Sequence, residues 1–190
     1  MIKIENLTKK FASHVSLDSV SCKFHKNESI ALMGANGAGK TTLIRSILGY
    51  YHADAGSVFI NGLDPIKERV EVLKEISFVP QLPPPIKLNI EELIHYISVS
   101  ADVDKDKIMY YANEMKLDLA ANMKKSFFKL SGGMKQKLLI AISLAKKSNI
   151  IIYDEPTANL DPKARDDFYR LLKQNEDEKV LLFVTHRLEE

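Results

Sequence analysis

Apolar and polar residues alternate over positions 2–7 and again over 16–24, which predicts two strands with one buried face each. Positions 29–33 are more uniformly apolar, the pattern of a strand covered on both faces. Positions 57–60 predict a short strand closed by an Asn61-Gly62 turn. Asp64-Pro65 pairs an N-cap residue with proline at the first helical position, predicting a helix to about Leu73. Positions 76–79 form another short apolar run, ending at Pro80-Gln81.

The pattern then changes. Pro83-Pro84-Pro85 is stiff and lacks backbone donors, so it reads as a hinge or boundary. From Asn89 onward the apolar spacing is helical. Asn89 and Glu92 form a capping-box pair, with Ile90, Leu93, Ile94 and Ile97 on one face. Shorter helices are predicted over 104–115 and 118–124, and a long one from 131 to about 147. Strand character returns at 150–153 and 180–184, with a helix opened by Asp161-Pro162 between them. Alternating strands and helices predict an α/β fold with a mainly parallel sheet covered on both sides. Residues 1–82 and 149–190 would form the core, and 83–148 a helical lobe set into it.

Composition narrows the choice. A chain of 190 residues suffices for one well-buried domain, and 45% hydrophobic with 27% charged residues is ordinary for a globular protein. The formal net charge of +2 argues neither for nor against a polyanionic partner. A single cysteine, Cys22, excludes an internal disulfide and a cysteine-rich zinc site. The five histidines, at 14, 25, 52, 95 and 186, are too scattered to suggest a metal cluster. This usage is consistent with a reducing compartment. No apolar run approaches the ~18 residues of a membrane span, and positions 1–5 lack the pattern of a signal peptide. Any membrane function is therefore expected of another chain.

Between the strand at 29–33 and a helical run from Leu43 lies Gly34-Ala35-Asn36-Gly37-Ala38-Gly39-Lys40-Thr41-Thr42. Its spacing fits the phosphate-binding loop of a P-loop NTPase, and the strand–loop–helix context is the required one. The glycines let backbone N–H groups crowd around an anion, and the following helix points its positive end there. Lys40 would reach the outer phosphates, and the Thr41 hydroxyl would ligate Mg²⁺. The apolar run at 150–153 ends in Asp154-Glu155, at the carboxyl end of a strand, where open α/β sheets bind ligands. Strand alternation would point the two carboxylates apart, Asp154 to Mg²⁺ and Glu155 to the attacking water as general base. Leu130-Ser131-Gly132-Gly133-Met134 opens the longest helix: Ser131 is an N-cap candidate, and the glycines either expose helix N–H groups to a ligand or form a flexible first turn.

These three motifs, in this order and with this intervening lobe, resemble the nucleotide-binding subunit of an ABC transporter over nearly the whole chain. The resemblance implies a P-loop NTPase core with an N-terminal antiparallel β-subdomain and an inserted helical subdomain. It implies ATP and Mg²⁺, with Gly34, Asn36, Gly37, Ala38, Gly39, Lys40, Thr41 and Thr42 binding nucleotide. Ser131, Gly132 and Gly133 would reach the nucleotide of a second ATP-binding subunit, in a homo- or heterodimer. Gln81 matches the family's glutamine loop, adding to Thr41 and Asp154 around the metal, although alone it reads as a turn residue. Asp161 matches the dimer-crossing loop and is equally an N-cap for Pro162. His186 matches the switch histidine that contacts the γ-phosphate, and Glu155 and His186 would be catalytic. Phe11 matches the aromatic that stacks on adenine, where the family more often has Tyr, with a plain core residue as the alternative. Met134 stands where many members have Gln. Members usually continue beyond the histidine, so a C-terminally truncated or unusually short member is expected.

The implied function is ATP hydrolysis that powers a separate transmembrane permease through ATP-driven dimerisation, on the cytoplasmic inner face of the cell membrane, with no nucleic acid partner. Residues 83–88 and the start of the next helix would meet the permease. Residues 123–137 hold five lysines and no acid, which is either a solvated face or one that favours nucleotide approach. Two rivals stand beside this reading. One is a soluble ABC-type ATPase acting on ribosomes or DNA, opposed by the single cassette and the lack of inserted coiled coils. The other is a non-hydrolysing regulatory module, opposed by Glu155 and His186.

Overall fold

The computed structural model describes residues 1–175 and 178–185. The chain groups into two compact units. The first comprises residues 1–77, 148–154 and, of the described residues, 178–185; the second comprises 78–147 and the segment from 155 through α6.

In the first unit, β1 (Ile2–Phe11) lies between β2 (His14–Phe24) and β4 (Ala55–Ile60) in an antiparallel three-stranded sheet. The alternation read from the sequence is realised: Ile2, Ile4 and Leu7 are buried, as are Val58 and Ile60 on the neighbouring strand. The Asn61-Gly62 turn forms with both residues at positive φ, and Ile60 and Leu63 exchange backbone hydrogen bonds of 2.9 Å across it. A second sheet has the order β3 (Glu28–Leu32), β7 (Val180–Val184), β6 (Ile150–Asp154), β5 (Ile76–Val79). The strands β3, β7 and β6 run parallel, with Leu32, Val184 and Asp154 level at their carboxyl ends. Helix α1 (Lys40–Ile47) follows β3 and buries Leu43, Ile44, Ser46 and Ile47.

Two expectations for this unit are corrected. The strand β3 is not covered on both faces: it is an edge strand among the described residues, with Glu28, Ser29 and Ala31 exposed. The fully covered strand is β6, buried at every residue. The Asp64 helix also starts later. Asp64 does accept from the Ile66 and Lys67 N–H groups, but Glu68 at φ −114°, ψ 43° leaves helical geometry. Helix α2 therefore spans Arg69–Glu75, begun where Arg69 donates to the Gly49 carbonyl (2.6 Å) and sits over the Tyr50 ring.

In the second unit, α3 (Ile90–Ala101), α4 (Lys105–Glu114) and α5 (Gly132–Ala145) pack around Ile94, Ile108, Phe127 and Leu138. The predicted capping box forms in full: Asn89 accepts from Glu92 N–H at 2.9 Å, and the Glu92 carboxylate accepts from Asn89 N–H at 2.8 Å. The expected helix over 118–124 is only a 3₁₀ turn, Ala120–Asn122. The physical reason is local: the Asp118 carbonyl accepts from the Asn122 side chain at 2.7 Å, and the Asn122 N–H turns to Leu119 O at 3.0 Å. Beyond the turn, the carbonyls of Met123 and Lys125 accept the otherwise unpartnered N–H groups of Glu91 and Ile90 at the start of α3. Nearby, Phe127 N–H donates to Leu88 O at 3.0 Å, Asn89 bridges to Ser126, and Lys124 pairs with Glu91. The unit is completed by α6 (Pro162–Lys173).

Candidate functional site

The phosphate loop is built by one buried glycine. Gly39 lies at φ +89°, and a Cβ there would sit 2.5 Å from the Ser16 carbonyl oxygen, so only glycine fits. Behind it α1 starts without a side-chain cap and without an acid in its first turn. Its first N–H groups therefore lack a side-chain acceptor, and the helix dipole makes this end favourable to negative charge. Gly34, Asn36, Gly37 and Ala38 are exposed ahead of the helix. The Lys40 ammonium donates to the carbonyls of Gly34 (2.5 Å) and Ala35 (2.9 Å), bracing the loop from within. The Thr41 residue is exposed, while Thr42 is tied to Ser16 through their hydroxyls at 2.8 Å.

Asp154 ends β6 as a buried residue, 9% exposed, level with Leu32 at the sheet end from which the phosphate loop leaves. Glu155 does not continue the strand. Its φ of +47° places it in the left-handed region, so the alternation argument for the two carboxylates does not apply. In the second unit the Gln81 amide donates to the Glu155 carboxylate at 2.9 Å, joining two residues that lie 74 positions apart.

The signature turn is organised differently from the phosphate loop. Ser131 is the N-cap of α5 and accepts from Met134 N–H at 3.2 Å. A Cβ on Gly133 would lie 3.0 Å from the Asn159 carbonyl, whereas one on Gly132 would meet only the Asn159 side chain at 3.9 Å. Of the two glycines, Gly133 is thus the closely packed one, and Gly132 stays exposed. Asp161 is the N-cap of α6, accepting from Ala164 N–H at 3.0 Å, with Lys137 3.9 Å from its other oxygen. That backbone hydrogen bond above all, helped by Lys137, holds the Asp161 carboxyl below the usual carboxylate range. The lysine run is partly engaged: Lys124 pairs with Glu91, and Lys135 lies over the Phe128 ring at 5.2 Å.

Phe11 is not a core residue. It is 41% exposed at the end of β1, edge-to-face with Tyr51 at 5.1 Å. His186 lies outside the described residues. Sequence reasoning missed Tyr51, whose ring meets Phe11 only through tertiary contact. It also missed Gln136 in α5, which is wholly buried; among the described residues neither of its amide atoms has a hydrogen-bond partner.

Among the described residues no cluster of three or more His, Cys, Asp or Glu is arranged to hold a metal alone. The Thr41 hydroxyl and the Asp154 carboxylate are hard oxygen donors. They suit Mg²⁺ when phosphate oxygens and water complete its shell. No helix among the described residues is long and apolar enough to cross a membrane.

Comparison with known proteins gives the family. The ABC transporter family profile matches residues 17–158. The sulfate/thiosulfate import ATP-binding protein CysA of Ralstonia nicotianae is 34% identical over all of this chain, which spans 53% of that protein. The energy-coupling factor transporter ATP-binding protein EcfA2 of Clostridium tetani is 33% identical, with 100% of this chain and 71% of its own length covered. Among solved structures, a dimeric ATP-binding cassette in a post-hydrolysis state, bound to ADP and Pi, matches with a TM-score of 0.83 and 26% identity over 100% of this chain and 89% of that one. The ATP-binding subunit of another ABC transporter matches in fold at a TM-score of 0.89, with 24% identity over 99% of this chain and 80% of that one. The chain belongs to the ABC transporter family and is of its ATPase class.

Proposed function

We propose that this chain binds and hydrolyses ATP with Mg²⁺ and, paired with a second ATP-binding subunit, drives a separate membrane permease from the cytoplasmic face. The observation that carries the reading is the start of α1: an uncapped, acid-free helix N-terminus behind an exposed glycine loop that Lys40 braces. That arrangement suits a polyphosphate, because backbone N–H groups, the helix dipole and an ammonium meet at one point. The Phe11 ring would stack on the base, and Thr41, Gln81 and Asp154 would provide oxygen ligands for the metal. When bound, Mg²⁺ neutralises charge on the β- and γ-phosphates. Glu155 would take the proton of the attacking water, and His186 would contact the γ-phosphate. Ser131, Gly132 and Gly133 would close on the nucleotide of the other subunit, with Asp161 in the crossing loop.

The test is Glu155→Gln. The variant should bind MgATP, release phosphate at a small fraction of the unaltered rate, and accumulate as a dimer by light scattering. Phosphate release at the unaltered rate would remove Glu155 from its role. A monomer with MgATP fully bound would remove ATP-driven pairing.

A further inference from the structure

We propose that Tyr51, locked by Arg45, is a positioning residue that sets the pose of the Phe11 ring against a nucleotide base. The inference rests on the reading of Phe11 as the base-stacking residue. Tyr51 follows α1 in the chain, and its ring meets Phe11 edge-to-face at 5.1 Å with an interplanar angle of 73°. Its hydroxyl accepts from Arg45 Nη1 at 2.7 Å, while the Arg45 guanidinium lies 5.8 Å from the centre of the same ring. Arg45 stands in the last turn of α1, the helix whose first turn carries Lys40 and Thr41. One rigid helix therefore ties the phosphate grip at one end to an aromatic support at the other.

A partly exposed phenylalanine at a strand end would otherwise sample several rotamers. Here it is also steadied from its own strand. Lys9 Nζ lies 5.4 Å from the centre of the Phe11 ring and is itself held by Asp54 at 3.1 Å. Asp54 accepts the Lys10 N–H at 2.6 Å and so fixes the backbone next to Phe11. The set fixes the distance between an aromatic plane and the phosphate loop. It acts as a gauge that a nucleoside triphosphate satisfies and a bare triphosphate does not use.

The experiment measures binding of MgATP and of magnesium tripolyphosphate to the full chain by calorimetry. Phe11→Ala should weaken MgATP roughly tenfold, the order expected for loss of one stacked base, and leave tripolyphosphate unchanged. If it does not, the reading of Phe11 fails. Given that control, Tyr51→Ala should weaken MgATP roughly threefold to tenfold, again sparing tripolyphosphate, and should add nothing in the Phe11→Ala background. Tyr51→Phe keeps the ring and loses the Arg45 bond, so it should fall between. Equal losses for both ligands, or additive losses in the double variant, would overturn the proposal. So would a Tyr51→Ala chain with unaltered MgATP affinity.

Discussion

Two helices of this chain begin in glycine-rich turns, and the two turns are opposites. At α1 the N-cap is Gly39 in the left-handed region, no side chain caps the helix, and a backbone carbonyl 2.5 Å from any added Cβ forbids substitution. At α5 the N-cap is Ser131, whose hydroxyl satisfies Met134 N–H, and the tightest glycine contact is the 3.0 Å approach of the Asn159 carbonyl to Gly133. The first turn has no side chain to satisfy its donors. The second satisfies one of its own donors and leaves Ser131 and Gly132 exposed. A run of glycines is therefore not one signal: at Gly39 it shapes a cradle, and at Gly133 it permits close packing of the chain on itself.

The sharpest way to break this comparison is Gly39→Ala. Strain at φ +89° with a carbonyl in the way should cost ~3 kcal/mol of stability and abolish MgATP binding, read by urea unfolding and calorimetry. Next comes Lys40→Ala, which removes charge-assisted hydrogen bonds and should weaken MgATP on the order of a hundredfold, with far-ultraviolet circular dichroism unchanged. At the other turn, Ser131→Ala should cost only ~1 kcal/mol, the value of an N-cap, and leave MgATP affinity of the monomer intact. Gly132→Ala should stay within ~0.5 kcal/mol in urea unfolding, since its Cβ would find ordinary contact at 3.9 Å.

The smallest effect is in pH. Asp161 caps α6 with a carboxyl held low by the Ala164 N–H, so the unfolded chain takes up that proton at higher pH than the folded one. Its contribution is complete above the ordinary carboxylate value of about 4 and is lost as pH falls through the lowered folded value. Asp161→Asn should flatten that part of the urea midpoint between pH 5 and pH 3. The start of α1 has no acid in its first turn to titrate.

What could be read in the sequence was local. The Asn89–Glu92 box, the Ser131 and Asp161 caps and the Asn61-Gly62 turn each rest on contacts within four residues, and each forms as expected. What could not be read depended on distant partners. The pairing of the Met123 and Lys125 carbonyls with the start of α3 is one such case. The Asp64 helix is shortened where Arg69 reaches Gly49. The apolar run at 29–33 reads as buried, yet β3 has one sheet neighbour among the described residues. At the site, the glycine-rich turn ahead of α1 was legible because its spacing dictates its backbone. The Gln81–Glu155 bond and the Tyr51 support were not, because 74 and 40 positions separate their partners.

The lacing between the start of α3 and residues 123–127 has a mechanical consequence. Backbone hydrogen bonds from Ile90 and Glu91 to Lys125 and Met123, and from Phe127 to Leu88, make these two stretches one stiff splint. Three residues lie between Phe127 and Ser131. A displacement of the start of α3 would therefore carry the stretch leading to the signature turn with it, as two planks nailed side by side move together.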